Sequence, residues 1–202
     1  MAYFKKIEKS DGPTRIFIGG VHGKEGLTTI ELVKKLNNED VVDEKLLLFN
    51  CPNSKYISTL DPRYYKTKMG KTIIDLINKY KPEIYVELHC YKPESYHKLI
   101  NLNRKDEVGV PPLIELEKGV LISSVAPYLR TELFKRNDVC ITLEMPCSPS
   151  EESKAVYFEI MKEIAGSDNR KEFEDKLQVK YPVQVKRAKK YAAEFFGEYP
   201  AF

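Results

Sequence analysis

The chain has no tryptophan and only three histidines in 202 residues. Its four cysteines, Cys51, Cys90, Cys140 and Cys147, form no C-x-x-C pair, which argues against a structural zinc ribbon. No apolar run approaches the roughly 20 residues that a membrane span requires. The opening residues, Met1-Ala2-Tyr3-Phe4-Lys5-Lys6, lack the apolar core of a secretory signal. These absences set the expectation of a cytoplasmic protein with no membrane partner. Neither charge sign dominates: 33 Lys and Arg face 30 Asp and Glu, a formal net charge of +3. The signs are interleaved and there is no basic arm, so nucleic acid is not an expected partner. No internal repeat, low-complexity stretch or Pro/Gly/Ser-rich linker divides the chain. Residues 1–202 are read as one domain.

Hydrophobic residues make up 42% and charged residues 31%, enough apolar material for a full core without staples. In such a chain the cysteines are read first as buried packing residues. Pairing with each other or metal binding are the alternatives for Cys90 and Cys147. Abundant Lys and Glu resemble thermophile composition, in which intracellular disulfides occur.

Strand-like and helix-like stretches alternate. Arg15 to Ile18 is a β-branched and aromatic run that breaks at Gly19-Gly20 into a tight turn. Leu27, Ile30, Val33 and Leu36 then recur at helical spacing over Lys24 to Leu36. Lys45 to Asn50 reads as a buried strand, Cys51 to Lys68 as a long loop, and Gly70 to Tyr80 as a helix stopped before Pro82. Ile84 to Leu88, Leu99 to Leu102, Val120 to Ser124 and Val139 to Leu143 read as further strands. Pro127 to Lys135 is a short helix. Ser148-Pro149-Ser150-Glu151 reads as a capping box, with Ser148 as the cap and Pro149 at the first helical position. Pro182 to Phe196 is a last helix ended by Gly197, with Val183, Ala188, Tyr191, Ala192, Phe195 and Phe196 as its core residues. The alternation predicts a three-layer α/β/α fold around a central, mostly parallel mixed sheet. Sites in such sheets gather at the carboxyl ends of the strands.

Three residues of chemical interest fall at those ends: His22, His89 and Glu144. His22-Gly23-Lys24-Glu25 places an imidazole and a carboxylate three positions apart where a strand turns into a helix. Such a pair can hold zinc at roughly 2.0–2.2 Å. A catalytic zinc needs a third protein ligand and an open position. His89, after Ile84-Tyr85-Val86-Glu87-Leu88, is placed to be that ligand.

Gly19-Gly20-Val21-His22-Gly23-Lys24-Glu25 resembles the G-G-x-H-G-x-E signature of zinc carboxypeptidases of the carboxypeptidase A type. It equally resembles that of their relatives, the succinylglutamate desuccinylases and aspartoacylases. Val86-Glu87-Leu88-His89 is similar to the D-L-H segment of the desuccinylase branch. Val139-Cys140-Ile141-Thr142-Leu143-Glu144-Met145 is similar to the strand that ends in the catalytic glutamate. Phe49-Asn50-Cys51-Pro52-Asn53 is similar to the loop after the second strand. The resemblance spans about residues 14–146, in the family's order, and the composition suits an archaeal member. Residues 147–202 have no counterpart in it and are read as helices packing on the sheet.

The resemblance implies one zinc ion per chain on His22, Glu25 and His89, with Glu144 as general base. It implies hydrolysis of an amide bond in a small peptide or N-acylated amino acid. The family carries two arginines between the H-x-x-E turn and the third ligand. This chain has only Arg63 there, in Asp61-Pro62-Arg63-Tyr64-Tyr65, and Lys55, Lys66 or Lys68 cannot reproduce a bidentate carboxylate clamp. Arg63 is expected to bind a substrate carboxylate or the oxyanion. Tyr65, Tyr91, Tyr96 and Tyr128 are candidate donors, and His97 is the spare histidine. Glu87 stands where the desuccinylase branch often has Asp. Two other readings remain beside the hydrolase. One is a non-catalytic member of the fold that binds a metal or a partner protein. The other is a cysteine nucleophile, Cys90 or Cys147, working with a histidine.

Overall fold

A strand buried on both faces reads as a continuous apolar run rather than an alternation, as Leu46-Leu47-Leu48 does. A computed structural model describes residues 1–10, 12–41 and 45–202. Along the chain, β1 (Tyr3–Glu8) and β2 (Thr14–Gly19) are followed by α1 (Gly26–Lys35) and β3 (Lys45–Asn50). Then come α2 (Lys68–Tyr80), β4 (Ile84–Tyr91), α3 (Tyr96–Leu99) and α4 (Arg104–Val108). The strands β5 (Ile114–Glu117) and β6 (Val120–Ser124), α5 (Pro127–Glu132) and β7 (Val139–Pro146) complete the sheet. The helices α6 (Glu151–Ala165), α7 (Arg170–Lys180) and α8 (Pro182–Phe196) close the chain.

Among the described residues the sheet has seven strands in the order β1-β3-β2-β4-β7-β6-β5. The four central strands are mutually parallel, while β1, β6 and β5 pair antiparallel at the two edges. Alternate residues of each strand point to opposite faces. On one face Phe17, Leu46, Leu48, Val86, Ile141 and Leu143 pack against α1, α6, α7 and α8. On the other, Ile16, Ile18, Leu47, Tyr85 and Cys140 pack against α2 and α5. Ile16, Phe17 and Ile18 are wholly buried, and side chains of this size each contribute about 1.5–3 kcal/mol when removed from water. The three-layer α/β architecture holds as expected.

Four local readings differ. Leu99 to Leu102 is not a strand: Leu99 ends α3 and Leu102 is exposed. The helix after β7 is capped by Ser150, whose side chain accepts from the Ser153 backbone, two residues beyond the expected Ser148. Val183 lies on the exposed side of α8, and Phe195 and Phe196 are half-buried; the buried stripe is Val185, Ala188 and Ala192. Finally, β1 and β5 were not expected at all, while α7 falls within the helices expected over residues 147–202 without having been placed individually.

The H-x-x-E turn is positioned by close backbone approach. Gly20 has φ +74, and a Cβ there would lie 1.7 Å from the Cys51 carbonyl oxygen. A Cβ on Gly26 would meet the same oxygen at 1.8 Å. No larger residue fits either place. Buried Asn50 fastens the arrangement. Its Nδ2 donates to the Gly26 carbonyl at 3.0 Å, and its Oδ1 accepts from Thr29 Oγ1 at 2.7 Å.

Candidate metal centre and cavity

Period-two alternation puts Tyr85, Glu87 and His89 on one face of β4. They form a relay. Tyr85 donates its hydroxyl to Glu87 Oε1 at 2.9 Å, and Glu87 Oε2 lies 3.4 Å from His89 Nε2. All three are buried, so each polar group needs its neighbour. The relay fixes the His89 ring and turns Nδ1 toward the H-x-x-E turn, where it meets Glu25 Oε2 at 3.1 Å. The same oxygen accepts from the His22 backbone N–H at 3.1 Å.

His22 comes from the other side of this carboxylate. Its ring centre is 5.1 Å from that of His89. Tyr64 packs edge-on against it at 5.5 Å, and the Tyr64 hydroxyl is spent on the Val21 carbonyl. The imidazole also bonds the Ile57 backbone. Its Nδ1 is buried with no hydrogen-bond partner. A buried, unpartnered nitrogen costs about 1–3 kcal/mol, so it calls for an explanation. Burial, followed by the neighbouring His89, lowers the His22 pKa and so favours the neutral imidazole over the charged one. For His89, burial opposes the charged form, but Glu25 and then Glu87 outweigh it and raise the pKa well above the ordinary value.

Two imidazoles and one carboxylate are the donor set that suits zinc. Among the described residues, no three His, Cys, Asp or Glu side chains already stand as a metal shell. Here His89 Nδ1 faces Glu25 directly. The residues fit a cation between them because the orphaned His22 nitrogen would gain a partner and the Glu25–His89 contact would open to admit it. Glu87 then serves as the carboxylate that orients a ligating histidine from behind.

Glu144 lies opposite His89 in the parallel register of β7 on β4. Burial pushes its carboxyl up to about 7; His89 and Arg104 oppose this and Glu25 adds to it. A carboxyl that titrates near neutrality can both accept and return a proton. His22, Glu25, His89 and Glu144 all line one cavity of about 740 Å³.

Arg63 does not. Its side chain is 81% exposed and paired with Asp61 at 2.6 Å. The cationic side chains that reach the cavity wall are Lys24, Lys92 and Arg104. Arg104 is half-buried in the short helix α4, with Nη1 on the Pro111 carbonyl at 3.0 Å. Burial lowers its pKa and Glu144 raises it. Nothing in the local sequence around Arg104 marks it; the fold alone brings it to the site. Tyr56 was also missed. It stands at the cavity wall, exposed, with its ring 6.3 Å from that of His22. Of the expected tyrosines, Tyr91 lines the cavity but donates to the Gly119 carbonyl, and Tyr96 bonds Glu115. Tyr65 and Tyr128 line a neighbouring cavity. His97 is exposed against Tyr96.

Cys90 and Cys147 form a disulfide, with Cα atoms 4.8 Å apart, instead of packing as separate thiols. It ties the end of β4 to the segment after β7, where the Cys147 N–H also donates to the Tyr91 carbonyl at 2.8 Å. Neither sulfur is free to act as a nucleophile. Cys140 is buried, and burial drives its thiol far above the ordinary range. The cysteine-nucleophile reading therefore loses its candidates.

The chain is 41% identical over 196 residues to "Uncharacterized protein MJ0501" of Methanocaldococcus jannaschii, a match that covers 93% of each. It is similar to the crystal structure of succinylglutamatedesuccinylase/aspartoacylase from Rhodobacter sphaeroides, at 14% identity and a TM-score of 0.45. That match covers 79% of this chain and 56% of the other. It is also similar to the product-bound structure of the ectoine utilization protein EutE (DoeB) from Ruegeria pomeroyi, at 17% identity and a TM-score of 0.45. There it covers 80% of this chain and 59% of the other. The chain thus spans less than two thirds of the length of either structure. Among the described residues, no helix is long and apolar enough to cross a membrane. A family profile matches residues 10–197, and the chain belongs to that family, the one described as "Uncharacterized protein conserved in archaea (DUF2119)".

Proposed function

We propose that this chain is a zinc-dependent hydrolase of an amide bond in a small carboxylate-bearing substrate, a peptide or an N-acylated amino acid. The observation that carries this reading is the orphaned, buried Nδ1 of His22 beside Glu25 and His89, in the same cavity as Glu144. His22, Glu25 and His89 would hold the ion, which supplies polarisation of a carbonyl and acidification of water.

The chain's own groups do the rest. Glu144, with a carboxyl near neutrality, takes a proton at a carboxylate oxygen and returns it to the departing amine. Glu87, held by Tyr85, keeps the His89 ring in one orientation and one tautomer. Arg104 takes the part expected of Arg63, because it is the guanidinium at the cavity wall. A planar fork there can meet a substrate carboxylate with two N–H groups. Tyr56 is free to turn toward the carbonyl oxygen, since it is exposed beside His22.

The test is hydrolysis of a panel of peptides and N-acylated amino acids by the zinc-loaded protein, run in parallel with Glu144→Gln. Turnover of a carboxylate-bearing member that vanishes in the variant supports the reading. Equal turnover in both proteins removes Glu144 from the chemistry. Zinc binding without hydrolysis of any member would favour the non-catalytic, metal-binding alternative.

A further inference from the structure

The Cys90–Cys147 disulfide takes no part in the proposed hydrolysis, although both of its cysteines line the metal cavity. It joins residues 57 positions apart. Cys90 directly follows His89, and Cys147 lies just beyond the end of the strand that carries Glu144. The bond sits where the elements of the candidate site meet. The Cys147 carbonyl accepts from Thr28 Oγ1 at 3.2 Å, and Thr28 is on α1, the helix that Glu25 opens. The Cys147 N–H donates to the Tyr91 carbonyl of β4 at 2.8 Å. From α6, the Tyr157 hydroxyl reaches the carbonyls of His89 at 3.3 Å and Leu143 at 3.0 Å. A chain of this length closes its core without staples, so the place of the bond calls for a local reason.

The two sulfurs differ in access. Cys90 is 5% exposed, whereas Cys147 is half-buried and followed by exposed Ser148. From this placement we infer that the disulfide is a reversible redox latch on the metal site, closed by oxidation and opened by a dithiol protein. A thiolate of the dithiol attacks Cys147 Sγ, the S–S bond breaks, and Cys90 leaves as a thiolate that takes up a proton. The second thiol of the donor then attacks the mixed disulfide, frees Cys147 and leaves the donor as a disulfide, so that two electrons and two protons have passed to the chain. Closed, the latch pins the carboxyl end of β4, and His89 with it, to the segment that bonds α1. Opened, only hydrogen bonds join those ends, and the fixed spacing of His89 from Glu25 is relaxed. The effect on metal rests on the metal-site reading; the latch itself is a property of the backbone and can be read without metal.

The experiment compares the full chain after oxidation and after reduction by a trialkylphosphine, chosen because thiolates of a dithiol would themselves bind zinc. Thiol titration in denaturant should find Cys51 and Cys140 alone free after oxidation and all four cysteines free after reduction. Amide deuterium exchange at residues 90–92 and 147–148 should quicken about tenfold or more on reduction while β2 stays protected. Zinc affinity, by competitive chelator titration, should fall on the order of tenfold. Reoxidation should restore both. Cys147→Ser should match the reduced wild type and ignore the phosphine. Four free thiols after oxidation, exchange that is unchanged or rises equally through β2, or a response that survives in Cys147→Ser would overturn the latch. The two readings fail separately. Faster local exchange on reduction with no zinc bound in either state keeps the latch and sinks the metal site; equal zinc affinity in both states does the reverse.

Discussion

The two ends of the parallel strands bury charge in opposite ways. At the amino ends, guanidinium groups are spent on backbone carbonyls. Arg130 donates to the carbonyls of Lys135 and Arg136 at 3.0 and 2.8 Å and lies 4.5 Å over the Tyr199 ring. Arg170 donates to the carbonyls of Asp138, Ala201 and Phe202. At the carboxyl ends, His89, Glu87 and Glu25 are satisfied by one another, and a His22 nitrogen is left over. Arg130 Nε is also without a partner, but it belongs to a guanidinium pinned at both tips, and neither cavity reaches it. The first arrangement staples segments together. The second holds donors of both kinds facing an open space, which is what a binding site requires.

The comparison predicts that damage at the two ends will differ in type. Glu144→Gln should have the largest effect: turnover falls about 10²–10⁴-fold, while zinc content and thermal midpoint stay near wild type. Arg170→Ala should do the opposite, costing about 2–3 kcal/mol of stability in denaturant titration, with zinc content unchanged in the folded fraction. Glu87→Gln should weaken zinc affinity about 10–100-fold by competitive chelator titration, because the oriented His89 loses its charged partner. Arg63→Ala should change neither zinc content nor turnover, since its side chain is exposed and paired with Asp61 outside the cavity. A large loss of turnover in Arg63→Ala would return it to the site and displace Arg104.

Much of the candidate site can be read along the chain because it sits where strand chemistry is simple. A strand ending in Gly19-Gly20, an H-x-x-E turn, and single polar residues closing apolar runs at His89 and Glu144 are all local patterns. Arg104 is not. It is one basic residue in a polar stretch, and it reaches the cavity through α4, a helix of only five residues. Pairing of Cys90 with Cys147 likewise depends on β4 lying beside β7, which no spacing reveals. The missed elements lacked clear periodicity. β5 has four residues. β1 is an edge strand in which only Ile7 is buried. The bounds of α7, inside the stretch read only as helices, were not marked because it buries just Phe173 and Leu177, too narrow a stripe to stand out. Leu99 to Leu102 misled for the converse reason: a short apolar run does not separate strand from helix end.

The central claim is that the orphaned His22 nitrogen, Glu25 and His89 hold a metal ion. Elemental analysis of purified wild type, His22→Ala and His89→Ala after incubation with zinc tests it most directly. About one zinc per wild-type chain, lost in both variants, is the result predicted for a three-ligand site. A wild type that takes up no zinc, or a full complement in either variant, would contradict it.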